Sequence, residues 1–477
     1  MRLAVALPGA TIPLLAAVLA AQPAVAQRSS DCLVTLDSSR VGRRIVTATG
    51  QIREYGSGGV WWSCVANPGT PNAGAVVWNA HADSVARFVS AGRIEFIGGV
   101  RFQDSTAELI ADRATYHEQG ERLEAQDHVR LTNRVTGTVL TGPRLTYLRE
   151  VAGFRDPAEL LATLRPTVVY RTEADSAEPY IILADRVRLL GNSTWAVGNV
   201  TITRSDFAAK GDSASLNIEG GEGTIVGAAE ASSQDSLGFH LSGHSIAFHL
   251  VDDKLDWVQA QDSARAKSNE WDIVADTIAF SVADDLIQAA LAWGDSTHPE
   301  ARSQEYVMSA DSLAVDTPDQ QLTEIRGFGN ALTTTVVAVA DSATSGIDSV
   351  TSGVDSTAAE VDSLAIAGDS LAGAVDSVAR DVGTWQGEAD WISGDTVVAR
   401  FDSTETGART LTELIARGNA KAFYKIFDAA DSTAAPAFNY SRGLTIIALF
   451  TDESVERVDV IGQADGVYLE PTKKPPS

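Results

Sequence analysis

A cycle of about 30 residues, repeated along most of the chain, restricts the fold more than anything else in the sequence. One full turn of it runs from Ala111 to Tyr147. Ala114 and Tyr116 fall on one side of a short strand pattern, and a polar turn follows at His117-Glu118-Gln119-Gly120. Leu123-Glu124-Ala125, a turn at Asp127 and Val129-Arg130-Leu131 come next, and the cycle restarts at Gly142-Pro143-Arg144-Leu145-Thr146-Tyr147. Apolar and polar residues alternate within each run, which is the period of a half-buried strand and not of a helix. The same opening returns at Ala82-Asp83, Ala184-Asp185, Gly211-Asp212, Gly243-His244, Ala275-Asp276, Ala310-Asp311 and Gly394-Asp395, mostly 27 to 35 residues apart. A fixed step of this size is the mark of a stacked array, in which each unit buries its apolar face against the next.

The second half of each unit carries a corner. It reads Ile97-Gly98-Gly99-Val100, Val197-Gly198-Asn199-Val200, Phe328-Gly329-Asn330 and Arg417-Gly418-Asn419-Ala420. Gly and Asn tolerate positive φ, so each pair suits a sharp change of direction between strands. Counted from the Asp slot, places +2 and +4 are apolar nearly throughout: Ala114/Tyr116, Leu145/Tyr147, Val187/Leu189, Ala214/Leu216, Ile246/Phe248, Ile278/Phe280 and Leu313/Val315. Second strands add Ile94/Phe96, Leu123/Ala125, Trp195/Val197, Leu255/Trp257 and Ile287/Ala289. With these inside, two facing sheets enclose a long apolar slot, either sealed as a dry core or open along one side.

The [AG]-D-x-[VIL]-x-[FYVL] opening, the L-x-x-[AV]-x-x-G-x-[VA] closing and the step between them resemble the OstA-like, LptA-type family. That family comprises the periplasmic lipopolysaccharide-transport protein and the N-terminal domain of its outer-membrane partner. The resemblance spans residues 76–335 and 385–470, nine openings in phase. It implies an all-β, open-ended β-jellyroll of two facing sheets. It also implies a slot that holds lipopolysaccharide acyl chains and passes the lipid toward the outer membrane. On that reading the lining is Ala114, Tyr116, Leu145, Tyr147, Val187, Leu189, Leu216, Ile246, Phe248, Ile278, Phe280, Leu313 and Val315.

The remaining segments depart from the repeat. Residues 1–26, with Arg2, an apolar run and Ala24-Val25-Ala26, read as a cleaved secretory signal. Residues 27–75 form an N-terminal capping block that holds Cys32 and Cys64, the only two cysteines, and Trp61-Trp62. In an oxidising compartment the two thiols are expected to pair. Asp31 before Cys32 disfavours acylation, and further ligands for a metal are missing. The tryptophans suit either the cap or an aromatic surface for a partner. Asp156-Pro157-Ala158-Glu159 followed by Leu160 to Leu164 predicts one short helix, with Asp156 as cap and Pro157 in the first turn. Residues 336–384 are a low-complexity acidic linker. In it Asp-Ser recurs every seven residues from Asp341, alongside a heptad stripe of Ile347, Val354, Val361 and Val375 that is also compatible with a coiled coil. Strand patterns return over 385–470 and are expected to dock on the same roll; 471–477 is a tail.

Chemistry is thin. A formal net charge of −26 argues against nucleic acid as partner. No phosphate loop, nucleophile elbow or H-E-x-x-H helix is present. His240 and His244 have zinc-like spacing but lie in a strand and turn. The repeated Asp could bind cations as a ladder or cap strand starts by accepting backbone N–H bonds. The expectation is therefore an exported, periplasmic lipid carrier that is not an enzyme and needs no cofactor or metal. Its expected partners are lipopolysaccharide and other β-jellyroll proteins or further copies docked end to end, with Val467-Tyr468-Leu469 as the free edge. A structural or adhesin-like solenoid is the alternative, and a polysaccharide-processing β-helix ranks behind both.

Overall fold

The computed structural model describes residues 32–68, 73–151, 155–171, 178–205, 207–217, 219–233, 239–251, 254–283, 286–303, 305–318, 321–335, 389–403, 409–426, 435–451 and 454–471. Residues 1–26, expected to be a secretory signal, the heptad stretch and the tail beyond 471 lie outside these residues. Among those described, the chain is antiparallel β-sheet almost throughout, with a short 3-10 turn at Val89–Ala91 and no α-helix. It has the β-jellyroll organisation expected of the repeat. The strands divide into two compact units, residues 1–131 with 144–160, and residues 132–143 with 161–477.

Within the larger unit the long strands pair in sequence order, and almost every one is bent in its middle. Against Phe207–Asn217, Ser193–Arg204 is in register down to Val197↔Ser213 and resumes at Val200↔Gly211, so Gly198 and Asn199 oppose Asp212 alone. The same two-against-one bulge recurs where Gly329 and Asn330 face Asp395, and where Gly418 and Asn419 face Leu444. A bulge kinks its strand and adds to the twist. Repeated in register, it folds the whole ladder into two facing half-sheets joined along a corner. Both corner residues sit in the left-handed region, at φ 75° and 46° for Gly329 and Asn330 and at 71° and 49° for Gly418 and Asn419.

Because the corner interrupts the two-residue period, the inward parity flips across it. Before the Asp slot the buried places are −3 and −1: Ile273 and Ala275, Met308 and Ala310. After it they are +2 and +4: Ile278 and Phe280, Leu313 and Val315. Place −1 is always small, Ala or Gly, because the neighbouring backbone is close; a Cβ on Gly394 would meet the Arg417 carbonyl oxygen at 3.0 Å.

The smaller unit repeats this plan. Ile52–Ala66 is bent at Gly58-Gly59, with Val41–Val46 on one half and Cys32–Ser38 on the other. The latter pairing aligns Val34 with Cys64, and Cys32 and Cys64 are joined in a disulfide with Cα atoms 5.4 Å apart. Trp61 and Trp62 share no surface: Trp62 is buried, while Trp61 faces outward against His81, ring centres 4.6 Å apart. At the C-terminal end of the larger unit, Ser454–Ile461 and Asp465–Leu469 pair with the two halves of Ala437–Thr451. Val467, Tyr468 and Leu469 are exposed there, and among the described residues no strand pairs with the far side of Asp465–Leu469.

The short helix expected over Asp156–Leu164 is not formed; Glu159–Thr163 is a strand. Leu160 and Ala162 alternate inward and are buried. Sinking one leucine side chain is worth about 1.5–3 kcal/mol, which outweighs the roughly 1 kcal/mol that an N-cap contributes.

Candidate functional site

The larger unit encloses an apolar seam between its half-sheets. One wall carries Ala266, Ile273, Ala301, Met308, Ile392 and Ala422, and the other Ile246, Ile278, Phe280, Leu313, Val315, Val397 and Ile446. Opposite the corner, where the strand ends of the two walls approach each other, aromatic side chains close the mouth. The Phe239 and Phe280 rings meet edge to face at 5.2 Å, Trp271 stacks over Phe280 at 6.2 Å, and Tyr306 reaches Phe450 at 6.0 Å. Leu322 is buried beside them, and its N–H donates across the mouth to Glu270 Oε2 at 3.2 Å.

Toward the C-terminal strands the seam widens into a cavity of about 60 Å³. Tyr306, Thr333, Ile392, Ala422 and Tyr424 line one side of it, and Leu414, Ile446, Ala448, Phe450, Val455 and Val458 the other. Among the polar groups in this largely apolar surface, Thr333 and Asp390 stand out. Thr333, 2% exposed, has a buried hydroxyl with no hydrogen-bond partner. At the rim the Asp390 N–H donates to Thr335 Oγ1 at 3.1 Å, and the Asp390 carboxylate accepts the Lys425 N–H at 3.2 Å. Burial raises the Asp390 carboxyl above the ordinary carboxylate range, against the opposing pull of Lys425, whose Nζ lies 3.9 Å away.

In the smaller unit aromatic rings pack against one another in the interior. Trp78 packs on Phe102 and Tyr116 at 5.1 and 4.8 Å between ring centres. The Tyr147 hydroxyl donates to Asp104 Oδ2 at 2.9 Å. Glu121, buried in the left-handed region, accepts the Arg149 Nε–H at 2.6 Å. Burial pushes both Tyr116 and Tyr147 well above the usual phenol range.

The expected lining therefore falls in two places. Ala114, Tyr116, Leu145 and Tyr147 are buried in the smaller unit. In the larger one, Val187, Ile246, Ile278, Phe280, Leu313 and Val315 are buried, whereas Leu189, Leu216 and Phe248 are half-buried. Second-strand parity is wrong in three places. In Ser193–Arg204 the inward residue is Ala196; Trp195 lies on the outer face under Arg188, and Val197 is 48% exposed. In Lys254–Lys267 a bulge at Asp256 separates Leu250↔Leu255 from His249↔Trp257, so Trp257 turns outward onto His249. A matching bulge at Gln288 leaves Ile287 packed on the core and replaces Ala289 by Ala290. Counting forward from the Asp slot also misses the entire −3/−1 wall and, with it, Thr333 and the cavity. The small residue always found at −1 was the available signal.

The Asp slots are tied to the corner of the next strand. Asn199, Asn330 and Asn419 donate their side-chain amides to Asp185, Asp311 and Asp395, at 3.0 to 3.3 Å. His128 takes the place of Asn and pairs with Asp112 at 2.7 Å, which raises its pKa. Capping by backbone N–H groups is seen at Asp276, which accepts from Ser296 and Thr297 at 2.7 and 2.9 Å; these bonds hold its carboxyl below the ordinary range. Among the described residues no three His, Cys, Asp or Glu side chains gather as a metal site, around His240 and His244 or elsewhere. No protein-family model matches the sequence, and a search of curated proteins returned no match.

Proposed function

We propose that this chain is an envelope lipid carrier. In this reading the seam between its half-sheets holds lipopolysaccharide acyl chains, and the protein helps to move the lipid toward the outer membrane. The observation that carries the reading is the apolar seam of the larger unit, whose walls are continuous across successive strands and which widens into a cavity near the mouth. Acyl chains gain free energy in proportion to the apolar area they hide, and a long two-walled slot suits them better than it suits a compact polar ligand. The net charge of −26 leaves burial of the chains, and not attraction to anionic headgroups, as the driving force. The exposed edge at Asp465–Leu469 supports the matching reading of partners, a related β-jellyroll or a second copy that continues the sheet by main-chain hydrogen bonds.

A photo-crosslinking residue tests the reading. Placed at Phe450, whose side chain packs on the core, it should capture lipid in the envelope; at Leu449, on the outer face of the same strand, it should not. Equal capture at both positions, or none at Phe450, refutes the proposal. The second reading, a structural solenoid with a dry interior, draws on the tight burial of most of the expected lining residues. It gives no capture at either position.

A further inference from the structure

The cavity of the larger unit contains one group that its walls leave unsatisfied. Thr333 pairs with Met308 on one side and Ile392 on the other, and both of these neighbours are apolar and buried. A valine there would have the same shape and the same branched Cβ. The hydroxyl instead lies buried, without a partner, on the wall of an apolar cavity. An orphan of this kind is costly, and native structures usually supply it with a partner. Thr333 is two residues in from Thr335 at the rim, so the hydroxyl sits roughly 7 Å below the mouth. Where one water occupies about 10–15 Å³ on the same measure, a cavity of about 60 Å³ accommodates a short run of methylene-sized groups beside it.

We propose that this cavity binds an acyl chain through its carbonyl oxygen, with the Thr333 hydroxyl as the donor. The inference rests on the reading of the seam as a lipid site and specifies what that site recognises. The carbonyl belongs to a neutral ester or amide and not to a free carboxylate, because the charged residue among those lining the cavity is Asp390, an acid. Lys425 already faces the Asp390 carboxylate at the rim. From the carbonyl inward, the chain runs between Leu414 and Ile446 on one wall and Ile392 and Ala422 on the other.

The test uses the full chain and three probes, methyl decanoate, decanoate and n-decane, each competing with a fluorescent naphthylamine. For the Thr333 variants each probe is compared with itself, so differences in hydrophobicity between probes cancel in that arm. Thr333→Val is expected to weaken methyl decanoate by about fivefold to tenfold, the worth of one hydrogen bond, and to leave n-decane unchanged. Thr333→Ser should restore ester binding, and decanoate should bind the wild type more weakly than its ester. If Thr333→Val leaves the ester unchanged, or weakens ester and alkane alike, the carbonyl contact is refuted while the seam remains a lipid site. Preferential binding of decanoate also refutes it. If neither the naphthylamine nor any probe enters the wild type, both this inference and the lipid reading fall.

Discussion

Replacing Gly329 by alanine tests the corner that folds the ladder in two. Gly329 has φ 75°, where an L side chain costs about 1–2 kcal/mol. An added Cβ would also lie 2.8 Å from Asp311 Cγ and 3.0 Å from Asp311 Cβ. Asp311 must then move, and it gives up the Asn330 amide bonds at 3.2 and 3.3 Å. Those bonds join half-exposed groups and are worth about 0.5–1 kcal/mol. Gly329→Ala should therefore cost about 1.5–3 kcal/mol, read as a lower urea midpoint at unchanged slope. Asp311→Ala alone removes those amide bonds and a 4.0 Å contact with the exposed His298 ring, and should cost about 0.5–1 kcal/mol. In the double variant the carboxylate no longer obstructs the new Cβ. Its cost should fall short of the sum of the singles by roughly 1 kcal/mol, a coupling expected between groups in contact. Additive costs, or a Gly329→Ala variant within about 0.5 kcal/mol of wild type, would refute this account of the corner.

Phe280→Asp places an unpaired charge against Phe239 and Trp271 and should cost at least about 3 kcal/mol, whereas Thr277→Lys on the outer face should stay within about 0.5 kcal/mol; denaturant midpoints decide, and similar costs would reverse the inward assignment. Asp390 is raised by burial, so its folded form binds its proton more tightly than the unfolded chain does. Its contribution to stability is then full below the unfolded carboxylate value and lost as pH rises through the raised folded one. Asp390→Asn should accordingly gain on the wild type between about pH 4 and pH 7, and parallel urea midpoints across that window would contradict the shift. Lysine at both Val467 and Leu469 should weaken end-to-end association in sedimentation while leaving the monomer folded, since charge on an open edge opposes strand addition.

The cycle, the corner and half of the inward surface were legible because each depends on residues near one another in sequence. Strand alternation shows in runs such as Asp276 to Phe280. The corner shows because Gly-Asn is one of the few pairs that accepts two successive left-handed residues, as at Gly329-Asn330 and Gly418-Asn419. The places +2 and +4 follow from that corner by simple alternation. The segment 156–164 was ambiguous because nine residues with a good cap satisfy a helix pattern as well as a strand pattern, and only the burial of Leu160 and Ala162 chooses between them.

What the sequence could not reveal depends on partners distant along the chain. The bulges at Asp256 and Gln288 exist only because a neighbouring strand pairs with one residue fewer, and each reverses the faces of every residue beyond it. Trp257 consequently stacks on His249 outside the seam. The isolation of the Thr333 hydroxyl is likewise a property of the assembled walls, because Met308, Ile392 and Ile446 come together only after the ladder has bent. The local backbone thus determined a repeating bent strand with an apolar side, a matter of short-range dihedral preference and alternation. The pairing of those strands decided which aromatics line the seam, where it widens and which polar group it leaves without a partner, because register and burial are set by contacts between residues far apart in the chain.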